Sequence, residues 1–317
     1  MKKTRIVIAG IGGVGGYFGG YLAKHYEHHS EVEINFMARG AHLEAIKSNG
    51  LKVVKGTESF IAKPYLATAE ASEIGIADYI LIATKSYDLD NVLDALTPCI
   101  DNKTILIPLL NGVDSFARIR QRFPNNTVIE ACVYIVSRLT QPGVIENTGN
   151  IQKLYFGSAD ESLKARLNHL ALIFQSANIE ATLSDKILSV IWEKFIFISP
   201  TATATSYFNN SIGEILSDSV KTNVLKALIE ELYQLIQLKQ ITLPDDIVAL
   251  TLNKLRALPY PTTSSMHSDF KANKSYNELA SLTAYVIEEA RKYQRDMPTY
   301  KTLYTALNSY HTNYPSS

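Results

Sequence analysis

Cysteine is nearly absent from this 317-residue chain, and the two that occur, Cys99 and Cys132, lie in apolar text without C-x-x-C spacing. A disulfide framework and a metal site are therefore not expected, and both cysteines read as small core residues of a protein kept in a reducing compartment. An excess of one charge is missing too. Lys plus Arg and Asp plus Glu are equal at 31 each, so no net basic field exists to draw in nucleic acid or an anionic membrane surface. No run reaches the ~18 uninterrupted apolar residues of a membrane span. The first strand pattern begins as early as Arg5, so a signal peptide is not expected either. Low-complexity text and repeats at a solenoid period are lacking as well. What remains is ordinary globular composition, 46% hydrophobic and 20% charged, in a chain long enough for two domains and expected in the cytoplasm.

The most informative stretch is Arg5-Ile6-Val7-Ile8-Ala9-Gly10-Ile11-Gly12-Gly13-Val14-Gly15-Gly16. The apolar run Ile6 to Ala9 suits a strand buried on both faces, and the glycines open a helix through Tyr17, Leu22 and Ala23. Gly10, Gly12 and Gly15 have G-x-G-x-x-G spacing. The first glycine permits a tight turn, the second lets backbone approach a pyrophosphate, and the third lets helix pack closely on strand. The pyrophosphate would rest on the helix N-terminus, which places Gly13 and Val14 among the candidate cofactor contacts. A second strand, Val32 to Ala38, ends at Arg39-Gly40 with no acid in the position that would hold the ribose 2′-hydroxyl of NAD. An arginine there can pair with a 2′-phosphate, so NADP is the expected cofactor. His42 reads as a surface residue at a helix start.

Further strands are expected at Leu51 to Val54, around Tyr65 to Ala67, and at Asp78 to Thr84, the last a central parallel strand ending at Lys85. Lys85 and Asn111 each stand where the carboxyl end of a strand opens toward a ligand crevice, and both are candidate cofactor and substrate contacts. For Asn111, Asn-Gly turn chemistry is an equal alternative. From Thr127 the text becomes β-rich, at Val128 to Val136, Gly143 to Glu146 and Lys153 to Gly157, which suggests antiparallel additions to the end of the sheet. A helix from Glu161 to Ser176 and a strand near Ile179 to Leu183 complete an α/β Rossmann-type domain over residues 1–184.

Residues 185–317 show only helical periodicity, at Ile187 to Ile198, Ile215 to Leu238, Ile247 to Leu258, Ser265 to Asn273, Leu279 to Tyr293 and Thr299 to Tyr310, so the second domain is expected to be all-α. Its first helix is apolar on nearly every face yet carries Lys194. An ammonium in such a place can donate to a carbonyl oxygen that gains charge during hydride transfer, while a snorkelling lysine paired with an acid is the alternative.

Taken together, Gly10-x-Gly12-x-x-Gly15 with Gly16, Arg39-Gly40, Lys85, Asn111-Gly112, Pro142-Gly143-Val144-Ile145, Trp192-Glu193-Lys194, Ser264-Ser265-Met266-x-x-Asp269 and Glu278 make a chain that resembles the ketopantoate reductases (2-dehydropantoate 2-reductases) over nearly its whole length. The resemblance implies a Rossmann domain plus a helical substrate and dimerisation domain, with NADPH reducing a 2-oxo acid in pantothenate synthesis. By the same resemblance Lys194 is the general acid and Glu278 a catalytic carboxylate that orients it or the substrate hydroxyl. Lys85, Asn111 and Ser265 then bind substrate, Arg39 binds the 2′-phosphate, and a homodimer is possible. Read without the family, Ser265 and Glu278 are ordinary helix-start residues. Two departures stand out: family members carry asparagine one and two turns after the lysine, where this chain has Ile198 and Ala202. The interval from Ser265 to Glu278 is also one residue longer than usual, with the extra residue placed between Asn273 and Tyr276. A reductase of another 2-oxo acid, or an NADP-binding protein without turnover, are the competing readings.

Overall fold

The computed structural model describes residues 3–313, and the chain divides into two compact units. The first comprises the residues up to Leu110 together with Ser115–Ile187; the second comprises Asn111–Asp114 and the residues from Leu188 onward.

In the first unit the strands are β1 (Thr4–Ala9), β2 (Val32–Met37), β3 (Leu51–Lys55), β4 (Glu58–Ala62), β5 (Leu66–Thr68), β6 (Tyr79–Ile82) and β7 (Ile105–Pro108), followed by β8 (Thr127–Val128), β9 (Glu130–Tyr134), β10 (Ser137–Gln141), β11 (Val144–Asn147), β12 (Lys153–Gly157) and β13 (Glu180–Leu183). Its helices are α1 (Gly13–His25), α2 (Gly40–Asn49), α3 (Leu89–Leu96), α4 (Ser115–Arg122) and α5 (Lys164–Ser176). Six strands form an all-parallel sheet in the order β5-β2-β1-β6-β7-β8. Counted along the chain within that sheet this is 3-2-1-4-5-6, the doubly wound order whose direction reverses between β1 and β6. Ile6, Val7, Ile8, Ile80, Leu81 and Ile82 are fully buried, as a strand covered on both faces requires.

The β-rich text after Thr127 does not extend that sheet beyond the two residues of β8. It builds two further sheets instead, β10-β11-β3-β4 and β13-β12-β9. Nor are the pairings all antiparallel: β11 runs parallel to β3, and β12 parallel to β13. The reason lies on α1. A Cβ on Gly16 would press into Ile145 of β11, and one on Gly20 into Val53 of β3. The glycines of α1 thus open a second face on which the four-stranded sheet sits, and that sheet supplies the apolar cover. Cys99 and Cys132 are both buried and free, and burial pushes the Cys99 thiol up to about 11, as expected of inert core residues.

The second unit is helical: α6 (Ile187–Phe208), α7 (Ile212–Leu216), α8 (Ser219–Leu238), α9 (Ile247–Arg256), α10 (Ser265–Lys271), α11 (Tyr285–Arg291) and α12 (Pro298–Asn313), with a π-helical turn at Ala280–Ala284 leading into α11. The helix expected from Ile215 starts instead in two pieces, because the Asp218 carboxylate accepts from the Val220 and Lys221 amides and caps a new helix. A larger difference is α6, which runs through Pro200 for ten residues beyond the expected end at Ile198. Ser199 to Ser206 is all small or hydroxylated, and every residue there is buried. Thr201 Oγ1 donates to the Phe197 carbonyl (2.6 Å) and Thr205 Oγ1 to the Thr201 carbonyl (2.7 Å), so hydroxyls bond the backbone around the proline. Among the described helices α6 alone is long and apolar enough to cross a membrane, and most of it is buried.

Candidate active site

In the first unit the candidate residues gather at the turn after β1. Gly10 takes a φ of 91°, a left-handed conformation that favours glycine, and a Cβ on Gly15 would overlap the Gly10 carbonyl. Gly15 therefore serves contact between helix and strand. A Cβ on Gly13 would overlap the Ser137 carbonyl, so this position packs under β10, and Val14 leans on the core. Gly12 differs: nothing lies within 4 Å of the Cβ it lacks. As N-cap of α1 it makes no side-chain cap bond, and no acid occupies the first helical turn. The first amides of α1 thus meet an open approach with a positive dipole end and no competing carboxylate.

That approach is one end of a cleft of about 310 Å³ lined by Gly10, Gly12, Ala38, Arg39, Thr84 and Asp88, among others. The open Gly12, the uncapped helix and the cleft beside the strand-order reversal fit a dinucleotide. Arg39 lines the cleft as N-cap of α2, and its Nη2 donates to Asp88 Oδ2 at 2.5 Å. Lys85 does not line it: it is exposed and opens a short 3₁₀ turn, Ser86–Asp88, that brings Asp88 to the arginine.

His42 is not the surface residue expected. It is half-buried, its Nε2 is 2.7 Å from the Ile11 carbonyl and its Nδ1 accepts from the Gly143 amide at 2.9 Å. A carbonyl only accepts and an amide N–H only donates, so the two neighbours fix the neutral imidazole with its proton on Nε2. Burial lowers its pKa, opposed by the Ile11 bond. His42 thereby ties the dinucleotide turn to the Pro142-Gly143 turn, a link across 101 positions that no local spacing announces.

A second group of candidate residues lies wholly in the helical unit. Lys194, half-buried on α6, donates from Nζ to Asn111 Oδ1 at 3.0 Å. Asn111 belongs to this unit through the Asn111–Asp114 segment and does not line the cleft of the first. Gly112 takes a φ of 89°, and Asp114 Oδ2 accepts from Ser281 Oγ at 3.1 Å, which pins the segment to the π-helical turn. Glu278, only 2% exposed, lies two residues before that turn and accepts a long 3.4 Å bond from Ser265 Oγ. Ser264, not Ser265, caps α10 by accepting from the His267 amide, which leaves the Ser265 hydroxyl for the carboxylate. The π-turn is bound in turn to α6, by Ser199 Oγ donating to the Leu282 carbonyl (2.6 Å) and by Thr203 against Thr283 (2.8 Å). One framework therefore positions Lys194, Asn111, Ser265 and Glu278, and the sequence gives no sign of its Ser199, Thr203, Asp114 and Ser281 members. Of the two departures, Ile198 is half-buried and Ala202 is enclosed in the core.

A dinucleotide turn on a doubly wound sheet, joined to a helical unit holding an amide-bound lysine and a buried carboxylate, defines an oxidoreductase of the two-unit dehydrogenase kind. Two family models match, Ketopantoate reductase PanE/ApbA over residues 6–161 and its C-terminal counterpart over 186–311. The chain belongs to the ketopantoate reductase family. It is 36% identical to a 2-dehydropantoate 2-reductase of Porphyromonas gingivalis W83, whose crystal structure superposes with a TM-score of 0.84 over 96% of this chain and 99% of that one. A Bacillus subtilis (strain 168) protein described as an uncharacterized oxidoreductase, YkpB, is 28% identical over 96% of this chain and 98% of its own. The fold is shared with a D-mandelate dehydrogenase solved with NADH and anilino(oxo)acetate, at 20% identity, a TM-score of 0.84, and coverage of 98% and 99%.

Proposed function

We propose that the protein is an NADPH-dependent reductase that converts 2-dehydropantoate to pantoate, a step of pantothenate and coenzyme A synthesis. The observation that carries this reading is the Lys194 ammonium held by Asn111 on a half-buried apolar helix, in the unit that also buries Glu278. When bound, the reduced nicotinamide supplies a hydride to the oxo carbon. Lys194 Nζ gives a proton to the carbonyl oxygen as it gains charge, so that the 2-oxo group ends as a hydroxyl. Asn111 accepts one ammonium hydrogen and so directs the group. Glu278, with Ser265 against it, serves as acceptor for a substrate hydroxyl, and Lys85 as a partner for bound anion. Gly12 and the first backbone amides of α1, at Gly13 and Val14, hold the pyrophosphate, Gly10 and Gly15 shape the turn that presents them, and Arg39 holds the 2′-phosphate. The test is oxidation of NADPH and of NADH against a panel of 2-oxo acids with 2-dehydropantoate included. Turnover with none of them sinks the assignment.

A second reading is favoured by Ile198 and Ala202. Without two amides on this stretch of α6, reduction of a 2-oxo acid lacking the terminal hydroxyl is the alternative activity, and the same panel separates the two.

A further inference from the structure

The second strand of the parallel sheet ends without an acid, yet the cleft contains one. Asp88 is delivered from the far side by the 3₁₀ turn after β6, and it sits on Arg39 with Oδ2 2.5 Å from Nη2. Its other oxygen accepts from Asn91 Nδ2 at 3.2 Å, and Arg39, Asp88 and Asn91 all line the cleft. Arg39 is 68% exposed and Asp88 27%, so the pair contributes little to folding. Its effect is on the field inside the cleft. A guanidinium bound to a carboxylate presents almost no net charge, and a 2′-phosphate brought to it meets an anion only a side chain away. The same carboxylate is of the type that accepts from a ribose 2′-hydroxyl in NAD sites.

We infer that Asp88 is the specificity-determining residue of the cofactor cleft, setting the balance between a ribose 2′-phosphate and a free 2′-hydroxyl by competing for Arg39. The inference rests on the reading of Arg39 as the 2′-phosphate partner. It follows that the protein accepts NADH alongside NADPH, and that its preference for the phosphate is held below what Arg39 alone would give.

The test is calorimetric titration of the full-length protein with 2′,5′-ADP and with 5′-ADP, which reports the adenosine end without turnover. In Asp88→Asn the amide keeps the shape and the acceptor atom but loses the charge. Affinity for 2′,5′-ADP should rise about tenfold, while that for 5′-ADP moves by less than about threefold. Asp88→Ser should change the ratio in the same direction, so one poorly folded variant does not decide the matter. Arg39→Ala should abolish the advantage of 2′,5′-ADP. If Arg39→Ala lowers the ratio while both Asp88 variants leave it unchanged, the cofactor reading stands and the role of Asp88 is overturned. If Arg39→Ala leaves the ratio unchanged, Arg39 does not read the phosphate, and both fall.

Discussion

An ammonium on a helix that is apolar on nearly every side needs an acceptor, and Asn111 Oδ1 accepts from Lys194 at 3.0 Å. Lys194→Ala should lower kcat on the order of 10²-fold or more, the usual worth of a positioned proton donor, with binding of 2′,5′-ADP within about threefold of the unmodified protein. Because Asn111 acts through the lysine, Asn111→Ala should cost less, and the double variant no more than Lys194→Ala alone. Additive losses would mean that Asn111 has a separate role. His42 carries a pH prediction. Its folded pKa lies below the ordinary value of 6.5, so between the two the unfolded chain binds the extra proton and the folded one does not. Its contribution to stability is complete above pH 6.5 and is lost as pH falls through the folded value. His267, lowered by burial and by the Lys271 charge, has the same sign. The melting temperature should therefore drop on acidification below about pH 6.5, and His42→Gln should make that drop shallower; an unchanged slope removes His42 from the account. At this scale the sequence marks Gly10, Gly12, Arg39 and Lys194 as candidates, since each carries a local signal of spacing or of polarity in apolar text. His42, Asp88 and Asp114 carry none, because their meaning comes from partners 101, 49 and 167 positions away.

Among the elements, β1, α1, β2, β6 and β12 were legible because strand and helix periods, glycines and apolar runs agree there. The far end of helix α6 was not, because Pro200 argues for a stop that the surrounding packing overrides. What holds the chain helical past the proline is a seam of buried hydroxyls. Ser199 gives its single proton to the Leu282 carbonyl, so it can only accept from the Tyr300 hydroxyl at 2.7 Å. Tyr300 is wholly buried on α12, whose first amides, at Thr299 and Tyr300, donate to the Glu231 carboxylate of α8. The helical pattern from Thr299 nearly matches the start of α12 at Pro298, whereas the distant Glu231 that completes the cap carries no local signal. Ser199→Ala strands a buried phenol proton and should cost about 1–3 kcal/mol, whereas Tyr300→Phe removes donor and demand together and should cost nearer ~1 kcal/mol. Denaturant midpoints of the two variants check the order. Equal or reversed costs would show that the hydroxyl seam is not what steadies α6 and the π-turn it shares with the site.

For the whole molecule, the division of labour between two units makes effects separable. Substitutions in the first should change which adenosine end is bound, and substitutions in the second should change turnover and substrate choice. Residue 198 is the sharpest case of the latter. It lies one turn beyond Lys194 and is half-buried, and it is isoleucine where the family resemblance implies an amide. A neutral hydrogen bond missing from a bound substrate matters on the order of 0.5–1.5 kcal/mol, while a buried hydroxyl left with no partner costs about 1–3 kcal/mol. Glu278 limits the loss to the lower figure if it receives that hydroxyl. An apolar isoleucine also tolerates a substrate without the hydroxyl, since no protein amide is then left unpaired. Discrimination should accordingly be relaxed: kcat/KM for 2-dehydropantoate should exceed that for 2-oxoisovalerate, its analogue lacking the hydroxymethyl group, by well under 10⁴-fold. Ile198→Asn should widen the gap roughly tenfold, with 2′,5′-ADP affinity unmoved because the change lies in the other unit. Ala202 is the poorer site for such a restoration, being enclosed at 2% exposure where an amide would have to displace core atoms. If the unmodified protein already prefers 2-dehydropantoate by about 10⁴-fold or more, the hydroxyl is read fully by Glu278 and its neighbours, and Ile198 has no part in choosing the substrate.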